Sequence, residues 1–274
     1  MSKHFRIWLF PLLGTLLTST SLLAQGVITM TTSQRVGEEI ALRIEANGNV
    51  TIEGAQETGK TDKFDRKSYR LTSQTITIRG DVTELDCYNS ELTSLDVSKN
   101  AALTNLECGE NKLTSLNVSK NTALTELTCY SNQLTSLDVS KNTALTFLNC
   151  SDNQLTSLDV SKNTALETLY CYNNQLTSLN VSQNTALETL YCPNNKLTNL
   201  NVSGCARLTI IDCSSNYIKG KAMTKLVNSL PNRRKKSSGT IFLVDRSSER
   251  RDKNRYSAAD VTTAKWKYWE VRQY

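Results

Sequence analysis

Seven of the eight cysteines, Cys87, Cys108, Cys129, Cys150, Cys171, Cys192 and Cys213, recur at a constant interval of 21 residues. A thiol can act as nucleophile, disulfide partner or metal ligand, so the interval must be asked which of these it serves. Seven is an odd number for pairing, and parallel side chains on neighbouring strands give poor disulfide torsions. Tetrahedral zinc wants ligands converging from a C-x-x-C-like pair, whereas one thiol every 21 residues makes a row. Packing is the reading that the spacing favours, since a buried free cysteine behaves as a small hydrophobe; a metal site is the alternative. The eighth, Cys205, stands at a turn position held elsewhere by Asn163 and Asn184, and a tie to Cys213 is open.

Other chemistry is thinly supplied. The single histidine is His4, in an apolar leader-like stretch, so Ser-His-Asp, Cys-His and H-E-x-x-H machinery all lack their base or ligand. No G-x-x-x-x-G-K-[ST] or dinucleotide fingerprint is present. The recurring acids Asp96, Asp138 and Asp159 are replaced by Asn117, Asn180 and Asn201 in sister copies, which suits a local hydrogen bond better than acid–base work. No catalytic residue, metal or cofactor is expected.

The elements that carry the cysteines follow from the same period. Leu145, Leu148, Cys150, Asn153, Leu155, Leu158 and Val160 reappear as Leu166, Leu169, Cys171, Asn174, Leu176, Leu179 and Val181. One such unit cannot bury its own apolar side chains, but stacked units form a continuous core. Leu148 and Cys150 are two apart and share one face of a short strand, with Phe147 and Asn149 on the other. The segment from Leu155 to Val160 is expected to return in extended or 3₁₀ form. Asn111, Asn132, Asn153, Asn174, Asn195 and Asn216 are placed to satisfy backbone groups at the bend.

The repeated L-x-x-L-x-C-x-x-N frame resembles the leucine-rich repeat family, and the 21-residue cysteine-bearing unit is similar to the internalin J type of secreted bacterial proteins. That resemblance covers about residues 82 to 218. It implies a solenoid with a parallel sheet on the concave face, and a concave face that binds a protein or other large ligand.

Four segments are expected. Residues 1–24 read as a signal peptide, with Lys3, His4 and Arg6 before the apolar run Ile7 to Leu17 and Ala24 before Gln25. Export follows, to the periplasm, cell surface or medium, with no later membrane span. Residues 25–80 alternate like strands, with Asn47-Gly48 as a hairpin signal, and are expected to form a β N-terminal cap. Residues 81–218 hold about seven coils. Residues 219–274 read as helix, strand, helix, strand, an α/β C-terminal cap. From 219 onward 15 Lys and Arg stand against 5 Asp and Glu, a balance of +10, and with the chain at +6 the rest carries −4. Arg233-Arg234-Lys235-Lys236 and the stretch from Arg246 to Arg255 are read either as solvated loops or as an attraction for anionic glycans or headgroups. Nucleic-acid binding has no motif to support it.

The variable residues beside each cysteine define the face. Glu84, Asp86, Glu107 and Glu126 make its first coils acidic, with Tyr88 and Tyr130 beside them. Phe147, Tyr170, Tyr172 and Tyr191 make the later coils aromatic, with Tyr170 and Tyr191 expected to stack at strand spacing. The leading reading is a non-enzymatic protein that docks a protein partner, from a host or the envelope, on these aromatics. Its alternatives are glycan or envelope binding through the same aromatics and the basic loops, or stacking that merely stabilises the sheet.

Overall fold

The computed structural model describes residues 26–244 and 252–273. The signal-peptide reading and Arg246, Arg250 and Arg251 of the second basic stretch lie outside the described residues. Six strands come first: β1 (Val27–Thr32), β2 (Glu39–Ala46), β3 (Thr51–Glu53), β4 (Ala55–Thr61), β5 (Lys67–Leu71) and β6 (Thr75–Arg79). β7 (Val82–Asp86) and β8 (Leu92–Lys99) belong to the first coil. One three-residue strand per coil follows: β9 (Asn105–Glu107), β10 (Glu126–Thr128), β11 (Phe147–Asn149), β12 (Thr168–Tyr170), β13 (Thr189–Tyr191) and β14 (Ile210–Asp212). The chain then forms α1 (Lys221–Ser229), β15 (Gly239–Val244), α2 (Ala258–Trp266) and β16 (Trp269–Gln273).

β7 and β9 to β16 pair in parallel in one sheet, each coil in register with its copy, so that Leu127 faces Leu148 and Tyr170 faces Tyr191. The convex return is the strand β8 in the first coil; in the later coils it is irregular backbone closed by turns, with an isolated bridge between Asn180 and Asn201. A 21-residue circuit leaves no length for a helix at 1.5 Å per residue.

Alternation explains the core. In a representative coil Leu145, Leu148, Cys150, Leu155 and Val160 are all fully buried. All eight cysteines are free and buried, Cys205 included. Burial holds the Cys150 thiol up at about 12 and the Cys205 thiol at about 11, so neither supplies a thiolate at neutral pH.

Two columns of asparagine stitch the coils together. In the first, Asn153 accepts the Leu134 N–H at 2.9 Å and donates to the carbonyls of Cys129 at 3.0 Å, Cys150 at 3.3 Å and Ser151 at 3.0 Å. Asn111, Asn132, Asn174, Asn195 and Asn216 repeat the pattern. A second column sits in the S-K-N turn, where Asn163 donates to Val139 O at 3.0 Å and Asn142 O at 2.8 Å. Cys205 takes that place in its coil, its Sγ 3.3 Å from Val181 O. Asp96, Asp138 and Asp159 each accept the N–H two residues on, as do Asn117, Asn180 and Asn201.

The bend after each strand is left-handed. Asn89, Glu110, Ser131, Asp152, Asn173, Asn194 and Ser215, each two residues past its cysteine, have φ between 49° and 55°. Six of the seven types are short and polar, Asn, Asp or Ser, and Glu110 alone is longer; short polar side chains hydrogen-bond locally and tolerate this conformation best after glycine.

Before the coils, β2 joins the parallel sheet antiparallel to β7, and β1 pairs with β6 and β8 in a second, four-stranded sheet. Here the structure corrects the Asn47-Gly48 hairpin. β2 pairs with β5 and β7, while β3 pairs with β6 in the other sheet, so the turn passes between sheets instead of closing a ladder. After the coils, β15 and β16 extend the parallel sheet, α1 begins at Lys221 and α2 begins at a Ser257–Asp260 capping box.

Candidate functional site

The concave residues separate into two groups. In the later coils, β11, β12 and β13 put Phe147, Tyr170 and Tyr191 on one face in consecutive coils. Phe147 and Tyr170 meet edge to face with centroids 5.6 Å apart and an interplanar angle of 83°. Tyr170 and Tyr191 do the same at 5.2 Å and 84°. The expected parallel stacking is therefore replaced by T-shaped contact, in which each positive ring edge meets its neighbour's negative face. All three rings remain half-buried, and Tyr172 lies nearby, half-buried, outside the row.

In the first coils the aromatics bridge across a gap. Tyr88 and Tyr130 lie two coils apart, yet their rings stack at 6.0 Å and 30°. Gly109, between them, makes this possible: a Cβ there would come within 2.6 Å of the Tyr130 ring. Burial, with the Tyr88 phenol beside it, pushes the Tyr130 hydroxyl well above its ordinary value.

The acidic side is compensated by residues that precede the coils. Arg66 reaches Asp86 at 3.6 Å and donates to Tyr88 O at 2.6 Å, with its guanidinium 5.3 Å from the Tyr88 ring centroid. Arg43 lies 3.8 Å from Asp86. Arg43, Phe64, Arg66, Asp86, Tyr88, Glu107 and Tyr130 together line a cavity of about 360 Å³. Glu107 sits in it with its carboxyl pushed up to about 7, by burial first and then by the Asp86 charge, against the pull of the Gly109 N–H at 3.1 Å. Glu126 accepts the Asn105 side chain at 3.3 Å, and Glu84 is half-buried on β7.

The position before each cysteine thus serves two purposes. Asp86, Glu107, Asn149 and Asp212 accept the N–H two residues on. Tyr170 and Tyr191 cannot, and their side chains instead form the aromatic row. Arg43, Phe64 and Arg66 were not legible as site residues, since they reach the coils only through antiparallel pairing of β2 and β5. Among the described residues no group of three metal-ligating side chains converges, and no helix is long and apolar enough to cross a membrane.

The stacked coils, their inward leucines and their asparagine column define a leucine-rich repeat solenoid. The family description "Leucine Rich repeats (2 copies)" matches residues 143–184. Among solved structures, the chain is similar to the functional domain of InlJ from Listeria monocytogenes, described as including a cysteine ladder, with 27% identity, 74% of this chain and 56% of that chain covered, and a TM-score of 0.35. A leucine-rich repeat protein of Leptospira interrogans is 23% identical over 64% of this chain and 44% of its own, with a TM-score of 0.51. Internalin C2 from Listeria monocytogenes is 18% identical over 70% of this chain and 81% of its own, with a TM-score of 0.55. The chain thus spans about half the length of the first two. No curated protein matches it.

Proposed function

We propose that this chain is an exported, non-enzymatic binding protein that docks a protein partner on the concave face, centred on Tyr170 and Tyr191. The observation that carries the reading is the row Phe147, Tyr170 and Tyr191. Each ring is half-buried and held by its neighbour, so little side-chain freedom remains to be lost when a partner covers it. Tyrosine presents a large apolar ring and a hydroxyl together, the combination that dominates interface energetics. The segments 25–80 and 219–274 act in this reading as caps that shield the ends of the coils from water, with boundaries at about 81 and 218.

The test is a double substitution, Tyr170→Ala with Tyr191→Ala, in the full chain. Hot-spot tyrosines contribute roughly 2 kcal/mol or more each, so proteins captured from host or envelope extracts by the wild type should be lost by the variant. Loss of the T-shaped contacts costs stability only about 0.5–1.5 kcal/mol per pair, so the variant should stay folded at assay temperature. Unchanged capture by a folded variant refutes the concave centre.

A further inference from the structure

The basic run Arg233 to Lys236 is not uniform. Arg233 is 4% exposed and donates to Leu208 O at 2.8 Å and Ser237 O at 2.8 Å. Lys267 donates to the carbonyls of Asn228 and Leu230 at the end of α1, and the Trp269 indole donates to Pro231 O at 2.9 Å. Lys267 and Trp269 fasten the end of α1 and Pro231 to the segment that follows α2, and Arg233 fastens the loop to the last coil at Leu208. Their neighbours make no such contacts. Among the described residues, Arg234, Lys235, Lys236 and Lys265 form no ion pair, and all four are exposed. The acids on either side of Lys265 along the chain are engaged, Asp260 in the capping box and Glu270 with Arg272 at 3.0 Å.

Between these cations stand two exposed rings. Trp266 is 82% exposed and Tyr268 46% exposed. Tyr268 follows the last helical turn with φ of 65°, the left-handed position where glycine is the ordinary choice. A large side chain is strained there. Asn232, Arg234, Lys265, Trp266 and Tyr268 line a cavity of about 310 Å³. It shares no residue with the concave row.

We propose that this cavity binds an acidic oligosaccharide, one whose pyranose rings carry carboxylates. Trp266 and Tyr268 offer aromatic faces to the C–H side of a sugar ring, and Arg234 and Lys265 pair with its carboxylates. A membrane surface is less well served, because such contacts need a broad apolar face and α2 offers one large exposed ring. A single-stranded nucleic acid needs a basic groove with aromatics in succession, and this is a single short concavity with two.

The probe is tetragalacturonate, added to the full chain, with tryptophan emission as the readout. Of the three tryptophans, Trp8 lies in the leader-like stretch, Trp269 is 1% exposed and Trp266 82% exposed; the emission change is assigned to Trp266 by its absence from Trp266→Ala. Saturable binding is expected, and the methyl ester of the same tetramer should bind at least about tenfold more weakly. Measured by calorimetry, Trp266→Ala and the pair Arg234→Gln with Lys265→Gln should each weaken it by about tenfold or more. Tyr170→Ala with Tyr191→Ala should leave it unchanged, which separates this site from the concave one. Equal binding of the ester, wild-type affinity in Trp266→Ala, or no saturable binding overturns the proposal. So does binding of phosphatidylglycerol vesicles or oligothymidylate without binding of tetragalacturonate.

Discussion

Replacing Asn153 and Asn163 by alanine, one at a time, should give very different results although both lie in one coil and both are buried. Exposure alone ranks them the wrong way: Asn163 is 0% exposed and Asn153 is 8%. The hydrogen bonds decide instead. Without Asn153, the Leu134 N–H has no acceptor left, whereas the carbonyls of Cys129, Cys150 and Ser151 keep second donors in Asn132, Asn174 and Ser131. An orphaned buried donor costs about 1–3 kcal/mol, and the two amide N–H groups, shared among three carbonyls, lose about 1 kcal/mol each, for about 3–5 kcal/mol in total. Without Asn163, Val139 O and Asn142 O keep the N–H groups of Asn142 and Leu145. The substitution also deletes the Asn163 Oδ1, a buried oxygen without a hydrogen-bond partner among the described residues. Loss of two bonds at about 1 kcal/mol each against relief of about 1–3 kcal/mol leaves a change near zero. Both variants remove the same amide volume, so the cavity contribution cancels between them. At about 2–4 °C per kcal/mol for a chain of this size, thermal unfolding followed by circular dichroism should fall by about 6–20 °C for Asn153→Ala and by no more than about 3 °C for Asn163→Ala. Equal shifts, or a larger one at Asn163, would refute the reasoning. Cys205 already occupies the tolerant column with a thiol in place of the amide.

Two further outcomes can be checked directly. A thiol reagent should react with eight cysteines in denaturant and with few on the same timescale in the native chain, since all eight are buried; fast native labelling of most of them contradicts the inward column. Glu107 has a folded value of about 7 against an ordinary 4.5, so the native state holds its proton through that interval while the unfolded chain releases it. Its contribution to stability is full below about 4.5 and is lost as pH rises towards 7. The melting temperature of Glu107→Gln, relative to wild type, should therefore climb between those values and then level; a difference that is flat or falls with pH rules this out.

The period made the solenoid legible because each coil repeats the same burial problem, and the counterparts of Leu148, Cys150 and Asn153 answer it alike, apart from Ser90 at the asparagine place of the first coil and Ile211 at the leucine place of the last. The same register showed which residues face outward. It did not show that Asp86 would be met by Arg66 and Arg43, because those contacts depend on strand pairing across 20 and 43 residues. Nor did it show β4 and β5, whose residues are mostly polar and give no alternating apolar signal. Asn47-Gly48 carried a true turn preference, but tertiary pairing sent its flanking strands to different sheets. The left-handed bends were hidden because their residues change from coil to coil and none is glycine. Trp266 and Trp269 show the limit most plainly: identical side chains three residues apart, the second packed on Gly239 and the first left in solvent.

The side chain of each asparagine of the first column bonds only within its own coil and to the coil before it, at separations of 19 and 24 residues. No coil senses how many others exist. Insertion or deletion of one whole 21-residue segment would therefore leave every neighbouring bond with a matching partner and change the concave sheet by one strand spacing, about 4.8 Å. The reach of the face can thus be reset in whole steps by duplication or loss of a 63-base-pair unit of coding sequence, with both ends of the molecule left as they are.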